Sequence, residues 1–137
     1  MASEWYLDVE AQILTTIEYM LAGRSGAPFP KLKCTASSEN VTPTYFPTLY
    51  LWHTYKGDGY DLNGAELGGI NSTINIRVWT NTSERDCAVI LSEAEKVMRQ
   101  VFRYRCNQMP SATITNKIAS GQIVCNRMIG AGDDLAQ

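Results

Sequence analysis

Histidine occurs once in this chain, at His53, and the four cysteines (Cys34, Cys87, Cys106, Cys125) stand far apart with no Cys-x-x-Cys pair. A Cys/His zinc site of ordinary spacing cannot be assembled from them, so no metal ligand is assigned. No apolar run approaches the roughly 18 residues needed to cross a bilayer, and no membrane partner is expected. The opening Met1-Ala2-Ser3-Glu4-Trp5 has no basic stretch ahead of a leucine-rich one, so export by a standard signal is not expected. These absences predict a reducing compartment with free, mostly buried thiols.

Signatures of catalysis are lacking too. Gly57, Gly59, Gly64, Gly68 and Gly69 precede neither a Lys-Ser/Thr pair nor a helix start, which excludes a phosphate loop and a dinucleotide fingerprint. Gly59-Tyr60-Asp61-Leu62-Asn63-Gly64 superficially resembles a calcium loop, but Gly59 and Ile70 stand where the first and last carboxylates belong. A thiol–imidazole pair around His53 has no supporting sequence context, and Cys87 falls on an apolar helix stripe. The reading is a non-enzyme with no cofactor. The sequons at Asn40, Asn71 and Asn81 are chance matches if the chain is not exported. Acidic residues are missing between 96 and 128, a stretch that holds Lys96, Arg99, Arg103, Arg105, Lys117 and Arg127, whereas acids outnumber bases before it. The net charge of -2 argues against a general nucleic-acid binder.

What is present is a chain of 137 residues, 45% hydrophobic and 19% charged, which fits one domain over 1–137 with its own core. Leu7, Ile13, Leu14, Ile17, Met20 and Leu21 recur at helical spacing and predict a helix over 4–22, with Ser3 as cap and Gly23 as stop. A short strand is expected near 32–36, and an aromatic, β-branched strand over 45–55 with Pro47 at its start or edge. Over 70–80 the period is two: Ile70, Ile74, Ile76 and Val78 share one face, while Asn71, Thr73, Asn75, Arg77 and Trp79 share the other. Ser83 followed by Asp86 opens a second helix over 84–103, with an apolar stripe of Cys87, Ile90, Leu91, Ala94, Val97, Met98 and Val101. A closing hairpin is expected from 112–118 and 122–129 around Ser120-Gly121. The fold class is α+β: a mainly antiparallel sheet of about four to five strands with two helices packed on one face.

Residues 56–69 form a glycine-rich stretch that reads as a loop between two strands. An excursion of that length in a small domain is usually functional or an interaction arm. Tyr60 and Leu62 are its large apolar groups, flanking Asp61 and followed by Asn63. These four, with Arg77 and Trp79 on the polar face of the alternating strand and Arg103 and Arg105 beyond the second helix, are the candidate assembly-interface residues. The arginines also suit the negative end of a helix, which leaves helix capping, a subunit contact and a polyanion contact all open.

The segment from Phe46-Pro47-Thr48-Leu49-Tyr50-Leu51-Trp52, through Ile74-Asn75-Ile76-Arg77-Val78-Trp79-Thr80-Asn81, into the helix with Ala88, Ile90, Ala94, Val97 and Met98, resembles the tail terminator (tail-completion) proteins of long-tailed bacteriophages. The resemblance spans about 46–103; outside it only the order of elements agrees. It implies a structural virion subunit of the tail and neck, assembled in the host bacterial cytoplasm as a homo-oligomeric, hexameric ring on the tail tube. Its partners would be the tail tube protein and a neck or head-completion protein, with double-stranded DNA passing through the lumen without specific binding. It supplies no active site. Neck and head-completion proteins are the near alternative, and a small-molecule-binding α+β domain the distant one.

Overall fold

The computed structural model describes residues 5–39, 41–58, 69–106 and 112–130. The N-terminal helical segment starts as a 3-10 turn at Trp5–Asp8, continues as α1 (Val9–Glu18) and loosens into a π-type turn over Tyr19–Gly23. Val9, Ile13, Ile17 and Leu21 are buried at helical spacing. Leu7 departs from that expectation. It lies in the 3-10 turn, out of register with the stripe, and is 54% exposed. The Ser3 cap lies outside the described residues.

Next come β1 (Lys33–Ala36) and β2 (Thr48–Asp58), which pair in parallel. Parallel neighbours cannot be joined by a tight hairpin, so the connector over 37–47 has to cross the sheet. An Arg77 guanidinium N–H donates to the Glu39 carbonyl at 3.2 Å, which fixes that crossing on the face opposite the helices. Antiparallel β3 (Gly69–Thr80) follows, and its alternation is obeyed: Ile70, Ile74, Ile76 and Val78 are fully buried. The expected loop is shorter than 56–69, because Lys56, Gly57 and Asp58 belong to β2 and Gly69 to β3. Gly57 pairs with Ile70 and Asp58 with Gly69, so ladder pairing overrides glycine's poor strand propensity at these ends.

Helix α2 (Glu84–Gln100) begins where expected, with the Ser83 hydroxyl accepting from the Asp86 backbone N–H at 3.1 Å. It stops three residues early. The Tyr104 N–H bonds the Met98 carbonyl across Arg103, which sits at φ 61, and this leaves Val101 50% exposed rather than on the stripe. Short β4 (Arg105–Cys106) and β5 (Thr113–Thr115) both pair with the long β6 (Ile118–Gly130). The final hairpin turns at Asn116-Lys117, both at positive φ, and not at Ser120-Gly121. Two successive left-handed residues make the primed turn that matches strand twist. Gly121 instead lies within β6 opposite Val78.

Among the described residues the sheet has six strands, one or two more than expected, in the order β1-β2-β3-β6-β4, with β5 also on the outer side of β6. It is mixed but mostly antiparallel, and the class is α+β. α1 packs across β1 and β2, and α2 across β3, β6 and β4, both on the same face. One core of Ile, Leu, Val and Met side chains fills the space between.

Candidate assembly surfaces

Arg77 and Trp79 come together on the face of the sheet that carries no helix. The Arg77 guanidinium lies 4.9 Å from the centre of the Trp52 ring and 5.6 Å from that of Trp79, and it donates to Gln122 Oε1 on β6. Trp79 meets Tyr50 edge to face at 4.9 Å and is only 4% exposed. Cation–π contact, a side-chain amide and a carbonyl thus hold this arginine within its own subunit. Tyr60, Asp61, Leu62 and Asn63 lie outside the described residues.

Arg103 and Arg105 are exposed and, with Arg99 and Tyr104, line a surface hollow of about 430 Å3 at the C-terminal end of α2. Arg99 is engaged with Glu95 at 2.9 Å, one turn back. This basic corner belongs to the β6–β4 margin of the sheet, whereas α1, with Asp8 and Glu18 exposed, covers the β1–β2 margin. The acidic helix and the basic segment thus occupy opposite sides of one subunit. Lys31 and Lys33 share the β1 margin, so excess negative charge there is confined to the outer stripe of α1.

A chain of hydroxyls that the periodicity does not announce crosses the core. Ser72 interrupts the isoleucines of β3 on the buried face; its Oγ lies 2.7 Å from His53 Nε2 and 2.6 Å from the Tyr104 hydroxyl. The backbone N–H of His53 donates to Glu10 Oε2 at 2.9 Å. β1 has run out at this point of β2, and the α1 carboxylate takes the place of a strand partner. Ser72 is fully buried, and the Ser–His contact ties β3 to β2 beneath the helices. Burial lowers the pKa of His53 to about 4 and keeps the ring neutral. A serine on an apolar strand face, within reach of the chain's one histidine, was the available sequence signal.

Cys34 and Cys87 are free thiols, as expected, and burial pushes them up to about 12 and about 11, with the Glu18 carboxylate adding to the effect on Cys34. Neither is a ready nucleophile. Cys106 and Cys125 form a disulfide between directly opposed residues of β4 and β6, which corrects the expectation of four free thiols. Strand register is a long-range property, and cysteine spacing along the chain does not encode it. Among the described residues no group of three or more His, Cys, Asp or Glu side chains could hold a metal ion. No helix among them is long and apolar enough to cross a membrane.

On the helix-bearing face, a pocket of about 340 Å3 opens between the first turns of α2, the 29–32 segment and the entry to β2. Phe29, Leu32, Pro47, Val89 and Ile90 give it an apolar lining, and Asp86 and Lys31 stand at its rim. No periodicity or motif announces it, because its walls come from separated segments of the chain. The chain matches no protein-family model and no curated protein sequence.

Proposed function

We propose that this chain is a structural subunit of a long-tailed bacteriophage, forming a ring that caps the tail tube, stops its polymerisation and joins the tail to the capsid neck. The observation that carries the reading is the unlikeness of the two margins of the sheet. One margin has acidic α1; the other has the arginine corner and the β5–β6 hairpin, and an apolar pocket lies between them at the first turns of α2. Closed rings with a single kind of contact need such unlike faces, since each subunit docks one patch on a different patch of the next. The buried Ser72 and Cys87 and the half-buried His53 and Cys34 point the same way, because these side chains pack on or within the core. The resemblance over 46–103 supplies the biological setting.

A neck protein could use the same geometry, and the two roles differ in what happens without them. A tube of identical rings always presents a fresh growing end. Only a subunit that binds that end and offers no copy of it can stop growth. Deleting the gene should leave capsids and tail tubes intact but unjoined, with tails of uncontrolled length. Tails of sharp, wild-type length in lysates of the deletion mutant would overturn the terminator reading in favour of the neck.

A further inference from the structure

The apolar pocket beside α2 and the β5–β6 hairpin are at the same end of the sheet, on opposite flanks of α2. The pocket touches Pro47 at the entry to β2 and Thr80 at the exit of β3. The hairpin lies next to that exit on the other side, since Thr80 pairs with Ala119 and Ala119 with Ile114. Directly opposed residues in a ladder point to the same face. Ala119 is fully buried on the helix side, so Ile114 is directed to the helix side too. It lies beyond the core and is 47% exposed, on a strand whose three side chains are all exposed. Lys117 stands at the tip of the turn. One edge of the subunit therefore carries an apolar projection with a cation at its end. The recess lies inward of it, between α2 and the 29–32 segment, with Asp86 on its rim.

We infer that the pocket receives the β5–β6 hairpin of a second copy of this chain, with Ile114 seated among Phe29, Leu32, Pro47, Val89 and Ile90 and Lys117 beside Asp86. A projection and a separate recess generate a head-to-tail contact that every copy can repeat. Both lie at one level along the strands, which lets successive copies stand side by side. Asp86 is exposed and its carboxylate is held by the Thr82 hydroxyl at 2.6 Å, so its charge is fixed at the rim before docking. Lys31, on the opposite rim, disfavours insertion of the hairpin turned end for end. The inference deepens the ring reading by naming the surfaces that meet, and rests on that reading only for closure into a ring.

Two variants test it by complementation. Ile114→Asp blunts the projection and Val89→Asp spoils the recess; both side chains are more than a third exposed, so thermal unfolding and circular dichroism should match wild type. Sedimentation should show self-association of each variant at least about tenfold weaker than wild type, a loss of roughly 1.4 kcal/mol. An equimolar mixture should form a one-to-one dimer and stop, because it holds one intact projection and one intact recess. Variants that associate like wild type, a mixture that stays monomeric, or a wild-type chain monomeric at about 1 mM would each overturn the inference. Wild-type association into open chains, with the complementation pattern intact, would leave the inference standing and overturn the ring.

Discussion

Burial gives His53 a titration that couples to folding. The unfolded ring titrates near 6.5 and the folded ring near 4, so the unfolded chain binds the extra proton between those values. The histidine's contribution to stability is complete above about pH 6.5, falls as pH drops through that window and is lost below about 4. Near it are the Glu10 carboxylate, bonded to its backbone N–H, the Tyr55 ring at 5.1 Å and, through Ser72, the Tyr104 hydroxyl. With the ring neutral, the hydroxyl chain can carry its protons in either direction. Protonation makes Nε2 the donor and leaves one direction only. Urea midpoints measured from pH 7.5 to 4 should decline for wild type and decline less for His53→Asn. Equal slopes for the two proteins would assign the acid sensitivity to the carboxylates instead.

At the scale of elements, the C-terminal end of α2 separates residues that fold the subunit from those free to meet a neighbour. Val97 is buried under the helix, so Val97→Asp places a carboxylate in the core without a partner and should unfold the subunit. Arg103 and Arg105, a few residues on, are exposed. The double variant Arg103→Glu/Arg105→Glu should keep the wild-type melting temperature within a few degrees and weaken self-association. Unchanged association would leave both arginines with a helix-end role alone. The boundary between the two classes was legible only in part. β3 and the body of α2 follow their hydrophobic periods closely, because each period reports burial against one layer and needs no knowledge of distant residues. Where the helix stops depends on Arg103 adopting a left-handed backbone, which its residue type does not announce. The same limit applies to the Asn116-Lys117 turn, the parallel β1–β2 pair and the Cys106–Cys125 bridge. Each is decided by partners in register rather than by local composition. The pocket is the extreme case: Phe29, Pro47 and Val89 are unremarkable singly and acquire meaning only when the sheet brings them together.

For the whole molecule, the question is whether unlike margins close a ring or extend a chain. Closure depends on the angle between successive copies, and two features of this subunit bear on it. Projection and recess lie at one end of a twisted sheet, so neighbours joined there are free to splay at the other end, which curves the row. The arginine corner sits further along the β6–β4 margin, and with the hairpin docked as proposed the next copy would turn the outer stripe of α1, with Asp8 and Glu18, toward it. A second contact of opposite charge at that distance would limit the splay to one angle, and raised salt should loosen it while sparing the apolar contact. The expected outcome is a closed six-membered ring in negative-stain images, with a mass by light scattering about six times the 15.2 kDa of one subunit. High salt should convert rings into shorter open assemblies before it yields monomers. If the free chain is monomeric at micromolar concentration, rings should still appear when tail tubes are added, since the tube end raises the local subunit concentration and presets the angle. A stable dimer as the sole species, with no ring on added tubes, would overturn the hexamer, because a reciprocal two-fold contact seats each hairpin in the other copy's pocket and leaves no projection or recess open to a third copy.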